Sequence, residues 1–379
     1  MSETTTAGTS ATPAATASLV DTIYAAVPCL AQNGNQPCAP EAVTEAGAGG
    51  PALLYWQATG YTLNAPILAG MQPQFNKQGD GSLAASCFFN ENAVRLPLLR
   101  RRALLSPQPP GESLVMVYGS EYCVTDPSDT ITMAMLNLGI MSAPPQVRLS
   151  AVGMADGSNN VYTAQVFSSD GGPLVISIDA TAWSTVPDQA ISALLYLDGE
   201  PVAEIGLFAN PSSFHLPLVG ADWVLYNVAA GGHQLDLVGN TGTTVDDGDV
   251  WSLTVMEMTG TSVATPLFSG PPAQQQGGGT LATATYEARG GEQLFLVSLS
   301  GWSGSDNEML SAQLLVEGDP VGTLQTWASK GGMHLPIAGG DIAPGVLMPG
   351  TQQIELVAGP NTITDQNDRL SITVIEVFR

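Results

Sequence analysis

The chain of 379 residues contains three copies of one sequence unit, and this internal repetition constrains the fold more than any other feature. Residues 290–377 align with residues 171–258 without a gap at an offset of 119, and 27 of the 88 aligned positions are identical. A third, more diverged copy lies upstream at an offset of 120. The repetition predicts three domains that share one fold.

Segments between the copies differ from them in composition. They are rich in Pro, Gly and Gln, which favours flexible or extended linkers. The predicted units, in chain order, are an N-terminal arm at 1–42, repeat 1 at 43–140, a linker at 141–160, repeat 2 at 161–259, a linker at 260–280 and repeat 3 at 281–379.

Each repeat is predicted to consist of short β-strands. Apolar runs such as 174–178 and 193–197 alternate with turn signals, and Asp198-Gly199 and Glu317-Gly318 stand between two apolar runs, as hairpin turns do. Helical periodicity is weak everywhere except at 15–26. Several short strands within about 100 residues predict an all-β chain of three tandem β-sandwiches of the jelly-roll type.

The charge balance argues against one class of partner. Ten Lys and Arg residues stand against 34 Asp and Glu residues, which gives a net charge of -24. Because a polyanion needs a basic surface, we expect no nucleic acid partner. We also expect no membrane span and no secretory leader, since no run reaches the roughly 18 apolar residues of a membrane helix and the N-terminus lacks a basic and apolar signal.

Four cysteines are too few for a disulfide scaffold in a chain of this length. Cys29 could pair with Cys38 across a short turn, and Cys87 with Cys123. Reduced thiols are favoured over either pair, because we expect the protein to be made in the cytoplasm.

The clearest motif shared by the repeats is a basic residue before Leu-Pro, at Arg95, His215 and His334. In repeats 2 and 3 an aspartate follows seven residues later, at Asp222 and Asp341. A histidine near a carboxylate can bind a metal or act as an oriented base. Arginine at the same position in repeat 1 can do neither at neutral pH, so we favour a structural ion pair in all three copies.

A second shared motif is Asp-x-x-Asp before the last strand of each repeat. Clustered carboxylates can hold Ca²⁺, which takes six to eight oxygen ligands. An Asx-turn, in which the first Asp accepts backbone N–H groups, is favoured because one motif supplies too few ligands. Calcium is the one candidate cofactor, and its candidate ligands are Asp246, Asp247, Asp249, Asp365 and Asp368.

Four of the ten basic residues fall within eight positions of repeat 1, at Arg95, Arg100, Arg101 and Arg102. In so acidic a chain this cluster could form a docking patch for an acidic neighbour. A solvated loop that balances local acidic residues is the alternative, and the sequence does not decide between them.

Searches for catalytic motifs find neither a zinc-protease His pair, nor a nucleophile elbow, nor a phosphate-binding loop, so we expect no enzymatic activity. Trp183 and Trp302 stand at equivalent positions, and repeat 1 has Tyr61 there. Such aromatic residues can stack on sugars, but a repeated core aromatic residue is the commoner role.

Small β-sandwiches, Pro/Gly/Gln-rich connections, few lysines and a Thr/Ala-rich arm together resemble the virion accessory proteins of tailed phages, such as capsid decoration, fibre or tail components. The resemblance implies a non-enzymatic virion protein, made in the host cytoplasm, that decorates or attaches to the particle by binding capsid or tail subunits through its β-sandwich domains and its N-terminal arm. We expect a homo-oligomer, with a trimer favoured. The alternative is an exported, extracellular carbohydrate-binding adhesin. The repeats could form a linear rod or a pseudo-threefold cluster.

Overall fold

The computed structural model describes residues 18–45, 50–76, 78–79, 84–108, 111–157 and 160–379. Apart from a short 3-10 turn at Leu138–Ile140, the regular structure of these residues is entirely β-strand. The prediction of an all-β chain of sandwich domains is therefore confirmed. Within the same residues, no helix is long and apolar enough to cross a membrane.

The strands follow the three repeats. Repeat 1 contains β1 (Val20–Pro28), β2 (Gln32–Asn33), β3 (Ala42–Glu45), β4 (Gly50–Gly60), β5 (Ile67–Phe75), β6 (Gln78–Gly79), β7 (Ala85–Phe89), β8 (Leu96–Pro97), β9 (Arg101–Gln108), β10 (Glu112–Gly119), β11 (Val124–Thr125) and β12 (Thr130–Asn137). Repeat 2 contains β13 (Gln146–Met154), β14 (Val161–Ser169), β15 (Gly172–Ala182), β16 (Gln189–Leu197), β17 (Glu200–Ala209), β18 (Leu216–Pro217), β19 (Ala221–Val228), β20 (Gly231–Gly239) and β21 (Val250–Glu257). Repeat 3 contains β22 (Ser262–Gly270), β23 (Gln275–Gln276), β24 (Thr280–Ala288), β25 (Glu292–Gly301), β26 (Glu308–Val316), β27 (Asp319–Ala328), β28 (Leu335–Pro336), β29 (Asp341–Val346), β30 (Gly350–Ala358), β31 (Ile363–Thr364) and β32 (Leu370–Val377).

The two main sheets of every repeat have the same strand order. In repeat 2 one sheet runs β13-β21-β15, with β19 pairing on the far side of β15, and the other runs β14-β20-β16-β17. Every pairing is antiparallel, and repeats 1 and 3 reproduce the order in their equivalent strands. First and last strands that pair in one sheet, with the intervening strands divided between two sheets, are the arrangement of a jelly roll.

Each repeat begins earlier in the chain than the sequence predicted. Strand β13 lies in the predicted linker 141–160 and pairs with β21, and β22 lies in the predicted linker 260–280 and pairs with β32. Strand β1, in the predicted arm, pairs with β12 in the same way. These segments are first strands of the sandwiches. Their partners lie at the other end of each repeat, so local sequence patterns carry little sign of the pairing. Residues 1–17 of the predicted arm lie outside the described residues.

A second apolar core lies between the repeats, in addition to the core inside each sandwich. It contains two sets of equivalent residues from all three repeats, Leu53, Val175 and Leu294 in one set and their cross-strand partners Leu136, Met256 and Ile375 in the other. Each of these side chains is at most 2% exposed. Because equivalent positions meet in one cluster, the repeats surround an approximate threefold axis and do not form a rod. Burial of each such side chain stabilises the assembly of repeats by about 1.5–3 kcal/mol.

The four cysteines are buried and unbonded. Neither the Cys29–Cys38 pair nor the Cys87–Cys123 pair forms a disulfide in this structure. Burial raises the pKa of the Cys38 thiol to about 12, which keeps that sulfur protonated at neutral pH.

Candidate functional site

Three consecutive arginines are buried where the repeats meet, and two of them, Arg100 and Arg102, contact the carboxylates around the threefold axis. Arg101 and Arg102 begin β9 and Arg100 directly precedes it, and the exposures of Arg100, Arg101 and Arg102 are 3%, 1% and 1%. At the offsets of the internal alignment, Arg102 is the equivalent of Asp222 and Asp341. One cation and two carboxylates therefore take equivalent positions around the axis.

The arginines pair with carboxylates of the other two repeats. Arg102 Nη2 lies 2.6 Å from Asp341 Oδ1 and 3.5 Å from Asp222 Oδ2. Arg100 Nη2 donates to Asp222 Oδ2 at 2.9 Å, and Arg100 Nε lies 3.4 Å from Asp179 Oδ2. Repeat 3 adds a hydroxyl, since Arg100 Nη1 donates to Ser298 Oγ at 2.7 Å. One buried network thus ties repeat 1 to repeats 2 and 3.

Arg101 points toward the junction with repeat 2, where its Nη1 donates to Ser252 Oγ and to the Ala151 carbonyl. The network places the guanidinium groups of Arg100 and Arg102 against the carboxyl groups of Asp179, Asp222 and Asp341. Buried charges are tolerated in this way when they are paired and hydrogen-bonded.

The network shifts the pKa values of its members in different directions. Burial opposes ionisation of Asp222, but the guanidinium groups of Arg100 and Arg102 outweigh burial and lower the pKa of this carboxyl. For Asp179 burial dominates and raises the pKa from its ordinary value of 3.8 to about 7. Burial lowers the pKa of Arg101 to about 10, and repulsion from Arg102 adds to this effect.

The raised pKa of Asp179 predicts a pH dependence of stability. In the unfolded chain this carboxyl loses its proton near pH 3.8, whereas in the folded chain it keeps the proton up to about pH 7. Its contribution is fully present below pH 3.8 and is lost as the pH rises through 7, a change of up to about 4 kcal/mol. In Asp179→Asn this loss should disappear. Urea unfolding of both proteins from about pH 4 to 8 measures the difference. Equal pH slopes would contradict the prediction.

The two shared motifs meet in one bridge site in each repeat. These sites are Arg95 with Asp126 and Asp129, His215 with Asp246 and Asp249, and His334 with Asp365 and Asp368. The sequence identified both motifs but did not show that they touch. The structure places the Arg or His beside the carboxylates in all three repeats, as the ion-pair interpretation expects.

Within each bridge site the second aspartate is buried and hydrogen-bonded. Asp249 Oδ1 accepts from His215 Nδ1 at 2.9 Å and from Thr181 Oγ1 at 2.9 Å, and Asp249 Oδ2 accepts from Asp246 N at 3.0 Å. Asp246 Oδ1 accepts from Gly248 N at 2.8 Å, which is the geometry of an Asx-turn. Burial raises the pKa of Asp249 although the His215 hydrogen bond opposes the shift.

The repeat 3 site has the same turn. Asp368 Oδ2 accepts from Asp365 N at 2.9 Å, and Asp365 Oδ1 accepts from Asn367 N at 2.7 Å. Asp247, the remaining candidate calcium ligand, is exposed in the turn of repeat 2. In both repeats the turn already engages two of the four carboxylate oxygens of the Asp-x-x-Asp motif.

The equivalent aromatic residues lie against the bridge sites. Trp183 Nε1 donates to Asp246 Oδ2 at 3.0 Å, and the Trp183 ring centre is 5.8 Å from that of His215. Trp302 lies 5.9 Å from the ring of His334. Both tryptophans are half-buried. Sugar stacking on them stays a prediction, while their contact with the bridge residues is a structural role.

Each bridge site also contacts a neighbouring repeat. Asn90 Oδ1 of repeat 1 accepts from His215 N at 2.7 Å, and Asn210 Oδ1 of repeat 2 accepts from His334 N at 3.1 Å. Arg95 N of repeat 1 donates to Ser329 Oγ of repeat 3 at 3.1 Å. Repeat 2 thus contacts repeat 1, repeat 3 contacts repeat 2 and repeat 1 contacts repeat 3, so the three repeats form a closed ring.

The arginine cluster is thus placed differently from a docking patch. The acidic neighbours of Arg100, Arg101 and Arg102 belong to the chain itself, and the three side chains are buried. Arg95 is held by its own bridge site, with 15% of its side chain exposed. Because these three side chains are buried in this fold, another protein cannot contact them. The alignment of Arg102 with two aspartates was the sequence signal for an internal role.

No protein-family model and no curated protein matches the chain. Among solved structures, PNGF-II is similar over 85% of this chain and 98% of its own, with 7% identity and a TM-score of 0.31. The major capsid protein P2 from Bacteriophage PM2 is similar over 62% of this chain and 97% of its own, with 11% identity and a TM-score of 0.23. A family 86 β-porphyranase from Bacteroides plebeius covers 59% of this chain, and 37% of its own length is matched, with 9% identity and a TM-score of 0.19. At such TM-scores the similarity carries no functional information.

Proposed function

We propose that this protein is a non-enzymatic structural component of a phage particle, and that it acts as a single-chain trimer of jelly rolls. The observation that carries the proposal is the closed ring, in which equivalent positions of three repeats meet on one axis. Such a ring matches a partner surface of threefold symmetry, because it presents three related outer faces at fixed angles.

The use of the polar side chains supports a structural role. The four clustered arginines, the two histidines and their partner aspartates make contacts within and between repeats. A rigid sandwich with varied outer loops is a suitable base for docking. The high negative charge of the chain disfavours contact with the packaged genome and leaves capsid or tail proteins as partners.

The closed ring of repeats also affects the number of chains that we propose for the assembly. A homotrimer was expected because jelly-roll flanks leave apolar surface to cover, and here the repeats cover one another within one chain. We therefore propose that a single chain occupies each threefold position. The resemblance to virion proteins implies that the arm attaches the protein to the particle. Residues 1–17 of this arm lie outside the described part of the chain.

The test is to locate the protein on purified particles. A C-terminal tag labelled with gold should appear in negative-stain images at threefold positions of the capsid or tail. Quantitative mass spectrometry should give one chain per such position. Purified particles that lack the protein, or that carry three chains per threefold position, would contradict the proposal.

An exported carbohydrate-binding protein is the second candidate, and one observation favours it. A cleft of about 600 Å³ opens on repeat 1 and is lined by Tyr118, Gln72, Gln74, Glu121 and Asn35, among others. Its size and its aromatic and amide groups suit a small sugar. Binding on a glycan array that Tyr118→Ala abolishes, together with absence from particles, would support this alternative over the virion role.

A further inference from the structure

The bridge site of repeat 1 differs from the other two in how its basic residue reaches the carboxylates. Arg95 Nη2 pairs with Asp126 Oδ2, the outer carboxylate, and Arg95 Nε lies 3.6 Å from Asp129 Oδ2, the inner one. The shorter histidine contacts the inner carboxylate alone. His215 Nε2 stops 3.7 Å from Asp246 Oδ2, beyond hydrogen-bond distance. Repeat 2 therefore has a gap where repeat 1 places a cationic nitrogen.

Repeat 3 has the same gap. His334 Nδ1 lies 2.9 Å from Asp368 Oδ1, and His334 Nε2 lies 4.0 Å from Asp365 Oδ2. In repeats 2 and 3, one ligand atom of the histidine and one of each of its two aspartates all lie within 4.8 Å of one another. Two independent copies thus hold an imidazole nitrogen and a carboxylate oxygen facing each other at nearly the same separation.

We propose that these two gaps are binding sites for a divalent transition metal of the Zn²⁺ class. The ligands are His215 Nε2 with Asp246 Oδ2, and His334 Nε2 with Asp365 Oδ2. Bonds of Zn²⁺ to nitrogen and to carboxylate oxygen together span about 4.2 Å, so one ion fits between atoms 3.7 or 4.0 Å apart with a bent angle. Water completes the coordination, since the side chains of Asp246 and Asp365 are 38% and 33% exposed.

The inner aspartates act as positioning residues in these sites. A metal-binding histidine commonly donates its other ring N–H to a carboxylate, which fixes the ring and the tautomer. Asp249 and Asp368 stand in that place, each 2.9 Å from the Nδ1 atom of its histidine. In repeat 2 the outer oxygen Asp246 Oδ2 also accepts from Trp183 Nε1 at 3.0 Å, and its second lone pair remains for a metal.

The donor set selects a transition metal over calcium. Calcium needs six to eight oxygen ligands, whereas here the Asx-turn and the histidine already occupy three of the four carboxylate oxygens of the repeat 2 motif. An imidazole with one carboxylate oxygen suits zinc, copper or nickel. Repeat 1 is excluded because the guanidinium of Arg95 fills the position and cannot ligate a metal.

The experiment is a zinc titration of the full chain after removal of metals by chelation, followed by calorimetry at neutral pH. The wild-type protein should bind two Zn²⁺ ions. His215→Gln and His334→Gln should each bind one ion, and the double variant none. His233→Gln is the matched control, because this third histidine bonds Asp198 on the surface of repeat 2, and it should still bind two.

A gain of binding gives an independent test. Arg95→His should raise the stoichiometry to three ions, since Asp126 and Asp129 already stand as the outer and inner carboxylates. Visible absorption of bound Co²⁺ reports ligation directly, and circular dichroism checks that every variant is folded. Failure of the wild-type protein to bind zinc, as expected if a protonated histidine is the only cation there, would overturn the proposal. So would retention of two ions in the double variant. Neither result depends on whether the protein belongs to a virion.

Discussion

Arg102→Asp is expected to lower the free energy of unfolding by more than the about 3–5 kcal/mol that follows loss of one partner from a buried ion pair. The side chain is 1% exposed, and its guanidinium faces Asp222 and Asp341. The variant would place three carboxylates at equivalent positions around one axis and remove the cation that pairs with Asp341, while Arg100 would still pair with Asp222. Urea unfolding followed by circular dichroism measures the change.

An exposed ion pair at a junction of the same repeats provides the matched control. Lys330 of repeat 3 pairs with Glu91 of repeat 1, and both side chains are nearly half exposed. Lys330→Ala should therefore cost less than about 1 kcal/mol. A charge rotation adds a second check, because Asp222→Arg combined with Arg102→Asp restores one cation and two carboxylates. This double variant should recover part of the loss. An Arg102→Asp variant as stable as Lys330→Ala would contradict the role of the axial network.

Removal of repeat 1 is expected to have the second large effect. A fragment of residues 143–379 keeps all strands of repeats 2 and 3 but exposes axial residues such as Val175 and Leu294. Asp222 and Asp341 also lose their arginine partners. The fragment alone should associate or melt well below the intact chain. Added residues 1–142 should restore a one-to-one complex, which size-exclusion chromatography with light scattering detects.

A shorter fragment tests the first strand of the sandwich. Residues 163–379 lack β13, which leaves one edge of β21 unpaired, and also lack Val161 and Tyr162 at the start of β14. This fragment should be less soluble than 143–379, because an open strand edge with apolar flanks promotes aggregation. Equal solubility of the two fragments would contradict the role of β13, and a 143–379 fragment that is monomeric and melts with the intact chain would contradict the closed ring.

The divergence of repeat 1 has a physical reason in this arrangement. Three identical copies would place three aspartates together on the axis. Repeat 1 has Arg102 at the position where repeats 2 and 3 have Asp222 and Asp341, so one of the three positions carries a cation. Arg100 and Arg101 add two further cations where repeat 2 has Gly220 and Ala221 and repeat 3 has Gly339 and Gly340. One basic copy thus allows two acidic copies to meet at a buried position.

Features that depend on residues close together in the chain were predicted from the sequence, whereas features that depend on residues far apart in the chain were not. The repeats and most strands were predicted, since alternating apolar residues and turn pairs such as Asp198-Gly199 are local signals. The first strands β13 and β22 were assigned to linkers because each pairs with the last strand of its repeat. Their Pro- and Gly-rich surroundings resembled linkers and gave no sign of this distant partner.

The contacts of the candidate site were also not predicted, because they join residues that are far apart in the sequence. Both motifs of the bridge sites were visible, but the contact of His215 with Asp249 follows from a turn and a loop meeting at one end of the sandwich. For the arginine cluster the sequence predicts a docking patch or a solvated loop, because charged residues are rarely fully buried. Its buried position requires carboxylates from two other repeats, which local patterns do not bring together.

The central claim, that repeat 3 closes back onto repeat 1, is tested most directly by a zero-length cross-link. The chain has only two lysines, Lys77 and Lys330, and Lys330 Nζ contacts Glu91 Oε2 across this junction. Carbodiimide treatment of a mixture of isotopically light and heavy protein, followed by mass spectrometry, should join Lys330 to Glu91 within single chains. Absence of this link, or its occurrence mainly between light and heavy chains, would contradict the single-chain ring.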